Sequence, residues 1–403
     1  MKVLFIVLLG GLSILGPLGI DMYLPAFVAM SADLQVSPLV IQQTLGLYLT
    51  CLAIMMLFYG TLSDVFGRRV VLLWATAIYA LAALGVALAA SHESLLVWRA
   101  LQGLSAGAGG VVARAMVLDM NQGVDSRQAM SQLIMVFALA PALAPILGGW
   151  ILESFGWRAI FFFQTAFAAL LFGCCYRCLI ETLARDLRQA LRVRPLLLSY
   201  RRMSSDMGFQ LPVIAGSLAF LVFSLYIGAS ASFVIDILGL PVTAFGWLFV
   251  PLVAGMVFGS AFGGWLARRL SRGRQLYLGY AILLTASFLN VGYWLAFEPL
   301  FPWVVVPLGL ATVGLALLNP CLILMATERY QQHRGLSNSL LSFEQTLVFA
   351  AVTSWLAPLL AGDGLVLACA VAIGALASGL CAWYAGQRVV SDRHEALAPI
   401  GKN

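Results

Sequence analysis

Gly60-Thr-Leu-Ser-Asp64-Val-Phe-Gly67-Arg68-Arg69 is where the chain gathers charge after a long absence of it. The runs on either side are apolar and almost free of ionisable residues. In lipid every backbone N–H and C=O must be satisfied within the chain, so segments this apolar cross a membrane as helices. A compact corner between two such helices, carrying one acid, two arginines and two helix-breaking glycines, is a tight cytoplasmic turn. Arg68 and Arg69 alone would make a positively charged hairpin loop on that side. Asp64, Gly60 and Gly67 ask for a further reason.

Composition agrees with a membrane reading. Of the 403 residues 62% are hydrophobic and 10% charged, against roughly 25% charged in soluble domains. The fold class expected is all-α and polytopic. The net charge of +6 comes almost wholly from arginine, but no segment outside the membrane is long enough to present a basic face to nucleic acid. Seven cysteines lie in or at the ends of apolar runs, and Cys174, Cys175 and Cys178 read as small packing residues. No metal site and no cofactor is expected. His92, His333 and His394 fall in loops or the tail, with no buried partner to suggest catalysis, so an enzyme is not expected. The apolar run after Lys2 reaches Ala32 with no small-residue cleavage site, and reads as an uncleaved first span.

A span needs about 20 apolar residues. Twelve are legible, at 3–30, 38–61, 70–90, 94–118, 128–150, 157–178, 208–229, 243–266, 275–296, 301–325, 335–360 and 364–385. The connections are short except 179–207, which is polar and arginine-rich. The expected organisation is a six-helix bundle over 1–178, a basic cytoplasmic linker over 179–207, a second bundle over 208–385 and a tail over 386–403. With the N-terminus inside, every Lys and Arg falls on the cytoplasmic side except Arg99, Arg114 and Arg158. In a bacterium this places the chain in the inner membrane with both termini cytoplasmic.

The opening stretch matches G-x-x-x-D-x-x-G-R-R, and the chain resembles the major facilitator superfamily, whose transporters carry that signature between their second and third helices. Twelve helices in two bundles of six around a central cavity is what the resemblance implies. Gly264-Trp-Leu-Ala-Arg268-Arg269 stands where a duplicated unit would repeat the signature, with its acid lost. The resemblance also implies that Asp64 caps a helix of the other half. It implies that Arg68 pairs with an acid at the base of span four, for which Asp119 is placed, with Arg114 nearby. That cluster would latch the cytoplasmic side when the outer side is open.

Buried ionisable groups are the first functional candidates in a membrane: Asp21, Arg99, Arg114 and Glu344. Asp21 lies in Gly19-Ile-Asp21-Met-Tyr23-Leu-Pro25-Ala26, where Pro25 would kink the helix. That string is similar to the first helix of one branch, the drug:proton antiporters of the bicyclomycin and chloramphenicol-resistance (Bcr/CflA) type. There the first-helix acid is implicated in proton and substrate binding. A partly desolvated carboxylate can carry a proton near neutral pH and exchange it for a substrate. Arg99, Gln102, Gly103, Ala106 and Gly110 recur at helical spacing in span four, a stripe that is mostly packing. Arg99 is its exception: either a fixed charge that tunes a neighbouring acid or a side chain snorkelling outward. R-x-x-Q-G resembles the fourth-helix signature of proton-coupled members. In span five Pro141, Pro145, Gly148 and Gly149 free backbone groups and let the helix bend. They resemble the fifth-helix antiporter pattern, with Ala140 and Ala144 in place of two glycines.

Glu344, in span eleven, is either a second proton or cation site or a partner for a neighbouring polar helix. Tyr23, Gln42, Tyr48, Gln102, Gln132, Phe137, Tyr226, Asn319 and Gln345 are placed to line a cavity by span position. The function expected is proton-driven export of small amphipathic compounds by a monomer whose partners are substrate, protons and lipid. A metabolite transporter for an amino acid, nucleoside or sugar is the alternative, and a non-transporting membrane sensor a more distant one.

Overall fold

A computed structural model of the chain describes residues 2–120, 123–188 and 193–397, and every regular element among them is helical. The membrane-length helices in chain order are α1 (Leu4–Asp33), α2 (Pro38–Phe66), α3 (Arg68–Ala87), α4 (His92–Met120), α5 (Gly123–Phe155) and α6 (Trp157–Cys178). After the linker come α7 (Met207–Ala219 bent by 46° into Leu221–Gly228), α8 (Val242–Leu266), α9 (Arg272–Ala296), α10 (Trp303–Tyr330), α11 (Arg334–Leu360) and α12 (Gly364–Gln387). Ten of these are long and apolar enough to span by themselves. The bent α7 makes an eleventh, and the apolar Leu139–Phe155 part of α5 stands where a twelfth belongs.

Most helices outrun the apolar stretches that announce them, because a helix continues past the lipid boundary until its backbone is interrupted. Gly67 does this for α2. Its φ of +102° lies where a Cβ is strained, and α3 begins at the next residue. Ser91 starts α4 through reciprocal bonds with Ser94, and Asp206 starts α7 by accepting from the Gly208 amide at 2.8 Å.

Within the first half α3 packs on α6 and α4, and α1 on α5 and α4. Within the second, α9 packs on α10 and α12, α8 on α10, and α7 on α12. The halves meet where α2 runs along α11 and α5 against α8. Gly46 of α2 faces Ser354 of α11, and Gly246 of α8 faces Ile146 of α5. The linker carries an amphipathic helix, Val193–Ser204, with Leu196, Tyr200 and Met203 buried among Phe209, Leu340 and Leu341 of the second half. Its Tyr200 hydroxyl donates to the Leu57 carbonyl of α2 at 2.8 Å, so the linker touches both halves.

At the arginine-rich end the two halves repeat one device. Arg68 at the α2–α3 corner reaches Asp119 at the base of α4 at 3.3 Å. Arg272 at the α8–α9 corner reaches Glu328 at the base of α10 at 2.6 Å. The second corner lacks the acid of the first but keeps the bridge to its fourth helix.

Candidate functional site

Pro25 has no N–H to return to the Asp21 carbonyl, and α1 leaves the α-helical path at Met22, resuming after a 3₁₀ turn at Leu24–Ala26. Asp21 therefore sits at a helix break, 3% exposed, with its Oδ1 buried and without a hydrogen-bond partner. One turn earlier the carbonyls of Leu15, Gly16, Leu18 and Gly19 accept side-chain bonds from four residues of neighbouring helices. Tyr79 donates to Leu15 at 2.9 Å, Tyr48 to Gly16 at 2.9 Å, Gln164 to Leu18 at 3.2 Å and Arg99 to Gly19 at 3.0 Å.

Arg99 is fully buried; it does not snorkel. Its Nη1 donates to Gln102 at 2.7 Å, and its guanidinium lies 4.2 Å from the Tyr23 ring centroid and 4.3 Å from that of Tyr48. Gln102 in turn donates to Gln164 at 2.8 Å, and Tyr79 reaches the same Gln164 oxygen at 3.3 Å. Glycines make this packing possible. A Cβ on Gly103 would lie 2.2 Å from the Tyr48 carbonyl, and one on Gly109 would lie 1.9 Å from that of Leu12. Gly110, expected in the packed stripe, instead faces open space. No ion pair joins Arg99 to Asp21. The buried cation is held by neutral acceptors and aromatic faces, which leaves the carboxylate free of a counter-ion.

In α5, Pro145, Gly148 and Gly149 are buried and Pro141 half-buried. A Cβ on Gly148 would sit 1.8 Å from the Met22 carbonyl, at the break beside Asp21. On Gly149 it would sit 2.7 Å from the Val242 carbonyl, at the start of α8. These two glycines join the acid-bearing break to the interface between the halves. In the second half Glu344 accepts from Gln210 of α7 at 2.9 Å, and its Oε2 is buried without a partner. Among the described residues each half thus holds one buried carboxylate oxygen with no hydrogen-bond partner.

Five of the residues placed by span position, Tyr23, Tyr48, Gln102, Tyr226 and Gln42, are engaged in helix contacts instead. Tyr23, Tyr48 and Gln102 are fully buried around Arg99 and line no open cavity. The Tyr226 hydroxyl accepts from Asn290 of α9, so it faces a neighbouring helix. Gln42 bonds across the interface to α7 and α11. Gln132 and Phe137 are exposed, while Asn319 and Gln345 are half-buried, the Gln345 amide lying beside Gly216. Helix rotation decides these placements, and span position does not encode it.

The corner at 60–69 also departs from the expected pairing. Asp64 pairs with Arg68 of its own half at 2.6 Å rather than with a helix of the other half. The carboxylate that caps a helix here is Glu181, which accepts from the Arg68 amide at 2.9 Å and the Arg69 amide at 3.3 Å. Arg68 meets Asp119 and Ser63; Arg69 donates to the Tyr176 carbonyl at 2.6 Å. Arg114 is exposed and belongs to none of the described ion pairs, so it stands apart from the Arg68–Asp119 bridge. Gly60 has open space where its side chain would be.

The sequence pattern of the family described as Major Facilitator Superfamily matches residues 9–353. The chain belongs to this superfamily. Among superfamily relatives it is 30% identical over 369 residues to the bicyclomycin resistance protein homolog of Haemophilus influenzae, covering 88% of this chain and 89% of that one. It is 30% identical to the chloramphenicol resistance protein of Pseudomonas aeruginosa (70% and 67% covered) and 33% identical to multidrug resistance protein D of Escherichia coli (64% and 64%). The crystal structure of the human organic anion transporter MFSD10 (TETRAN) superposes with a TM-score of 0.69 over 95% of this chain and 99% of that one. At 18% identity it shares the fold.

Within the superfamily framework, the residues that reading the sequence missed are uncharged or distant. Gln164 and Tyr79 complete the network around Arg99, and each is a rare polar side chain inside an apolar span. Glu181 lies far along the chain from the amides it caps, yet Gly67 leaves those amides without a local side-chain acceptor, which is a legible demand for one. Gln210 had no such signal.

Proposed function

We propose that the chain is a proton-driven exporter of small drug-like or amphipathic compounds in a bacterial inner membrane, working as a monomer with both termini cytoplasmic. The observation that carries this reading is Asp21: a buried carboxylate at a helix break, with one oxygen unpartnered and no counter-ion in contact. Such a group is costly in a membrane unless protonated or matched by a ligand. Proton and substrate can therefore compete for it. Arg99 sets the local field from a fixed position, since its guanidinium is committed to Gly19, Gln102 and two rings. Rocking of residues 1–178 against 208–385 would expose the Asp21 site alternately to the two sides. Glu344, with its own unpartnered oxygen, serves as a second proton or cation site in the other half.

The names of the relatives support drugs as the substrate class, and the placement of Lys and Arg supports the orientation. The test is proton release from the detergent-solubilised protein on adding a panel of drugs and metabolites, for wild type and Asp21→Asn. Release from wild type alone is expected. Release from both would move the proton site to Glu344, and release with metabolites only would make the chain a metabolite transporter.

A further inference from the structure

Gln42 lies one turn into α2, at the end opposite the arginine-rich corners, and is 9% exposed. Its Nε2 donates to the Gly228 carbonyl of α7 at 2.7 Å and to the Thr353 carbonyl of α11 at 2.7 Å. Two carbonyls flanking one amide accept only from its nitrogen, so the side chain's orientation is fixed. Both acceptors sit where their helices change pitch. Thr353 lies inside the π-turn Val352–Leu356, and Gly228 ends the helical segment that precedes the π-turn Ser232–Ile237. Backbone oxygens at such points are available to a partner from another helix. The helices are also in close contact there: a Cβ on Gly228 would lie 3.0 Å from the Thr353 Cα, and one on Gly46 would strike Ser354. One first-half side chain thus ties together two second-half helices at a single point.

We propose that Gln42 is the latch that holds the end of the transporter opposite the arginines closed. To open that end, α2 must part from α7 and α11, and both bonds must break together. This rests on the alternating-access reading given above and adds a positioning residue to it; Gln42 touches neither of the carboxylates proposed to carry the proton. Gln42→Leu keeps the volume and removes both donors. Gln42→Glu keeps the shape and sets a carboxylate against two carbonyl oxygens.

The experiment is hydrogen–deuterium exchange of the full-length protein in lipid nanodiscs, with no drug present, for wild type and both variants. Loss of two amide–carbonyl bonds should shift the ratio of open to closed by about tenfold to thirtyfold. In both variants exchange is expected to rise by that order at 222–240 and 350–360 and to stay as in wild type at 60–72 and 334–345, where the linker helix still joins the halves. A merely structural loss would loosen both ends. Increased exchange at both ends, or none at 222–240 and 350–360, overturns the latch. Because exchange is read without substrate, its outcome is separate from whether Asp21 carries the proton.

Discussion

Arg99 shows how much of a residue's meaning lies in its neighbours. From the chain alone it could tune an acid or snorkel; in the fold it is held between the Tyr23 and Tyr48 rings and bonded to Gln102 and Gly19. Planar stacking and two directed bonds suit a guanidinium and not a compact ammonium. Arg99→Lys should therefore lower drug-driven proton release by about tenfold or more while leaving the protein extractable and monodisperse. Measuring release beside size-exclusion profiles checks this. Asp206 gives a residue-scale expectation for pH. Burial works against its ionisation, but the Tyr330 hydroxyl, the Gly208 amide and the Arg329 guanidinium together hold its carboxyl below the usual carboxylate range. A group so depressed contributes stability that is complete above its unfolded value, near 3.9, and is lost as pH falls through the lower folded value. Asp206→Asn keeps an acceptor for the Gly208 amide but loses the charge facing Arg329, so it should cost about 1 kcal/mol or less at pH 7 and flatten the acid side of the melting curve, which thermal scans between pH 7 and pH 3 would reveal.

Elements here end and meet through a few backbone details. The α2–α3 corner depends on Gly67, whose φ is +102° and whose added Cβ would lie 2.4 Å from the Glu181 carboxylate. Glu181→Ala removes the acceptor of two bare amides and should cost about 1 kcal/mol, with faster amide exchange confined to the first turn of α3. Gly67→Ala should cost more, because strain and the displaced Glu181 act together. For α5 the decisive contact is Gly148 against the Met22 carbonyl. Backbone cannot move aside as a flexible side chain can, so Gly148→Val should part α5 from the break in α1 and abolish export even where the protein still inserts. A transport assay alongside a membrane-fraction immunoblot separates the two effects.

For the whole molecule, the arginine bias in sequence and the clasps in structure mark one end. Arg68–Asp119 and Arg272–Glu328 both lie there, as does the linker helix that touches both halves. Cys178, the exposed member of the described cysteines, ends α6 at this face. A membrane-impermeant maleimide should label it in inside-out vesicles and not in right-side-out ones, with Cys178→Ser abolishing that labelling. Labelling from the other side would reverse the proposed orientation.

The sequence by itself determined that the chain is a helical membrane protein, roughly how many times it crosses and which corner carries the signature. Those properties follow from the run length of apolar residues and the placement of charge, which lipid reads directly. It also marked Asp21, Arg99 and Glu344, because an ionisable group inside an apolar run stands out without any structure. Only the tertiary structure decided what each group touches. It showed that Arg99 is held by neutral partners and not by Asp21, that Asp64 pairs within its own half while Glu181 caps α3, and that Gln42 bonds across the interface rather than lining a cavity. Every one of those facts depends on the rotation of one helix against another. That rotation is set by the close approach of glycines and by packing over the whole bundle, and no single span records it.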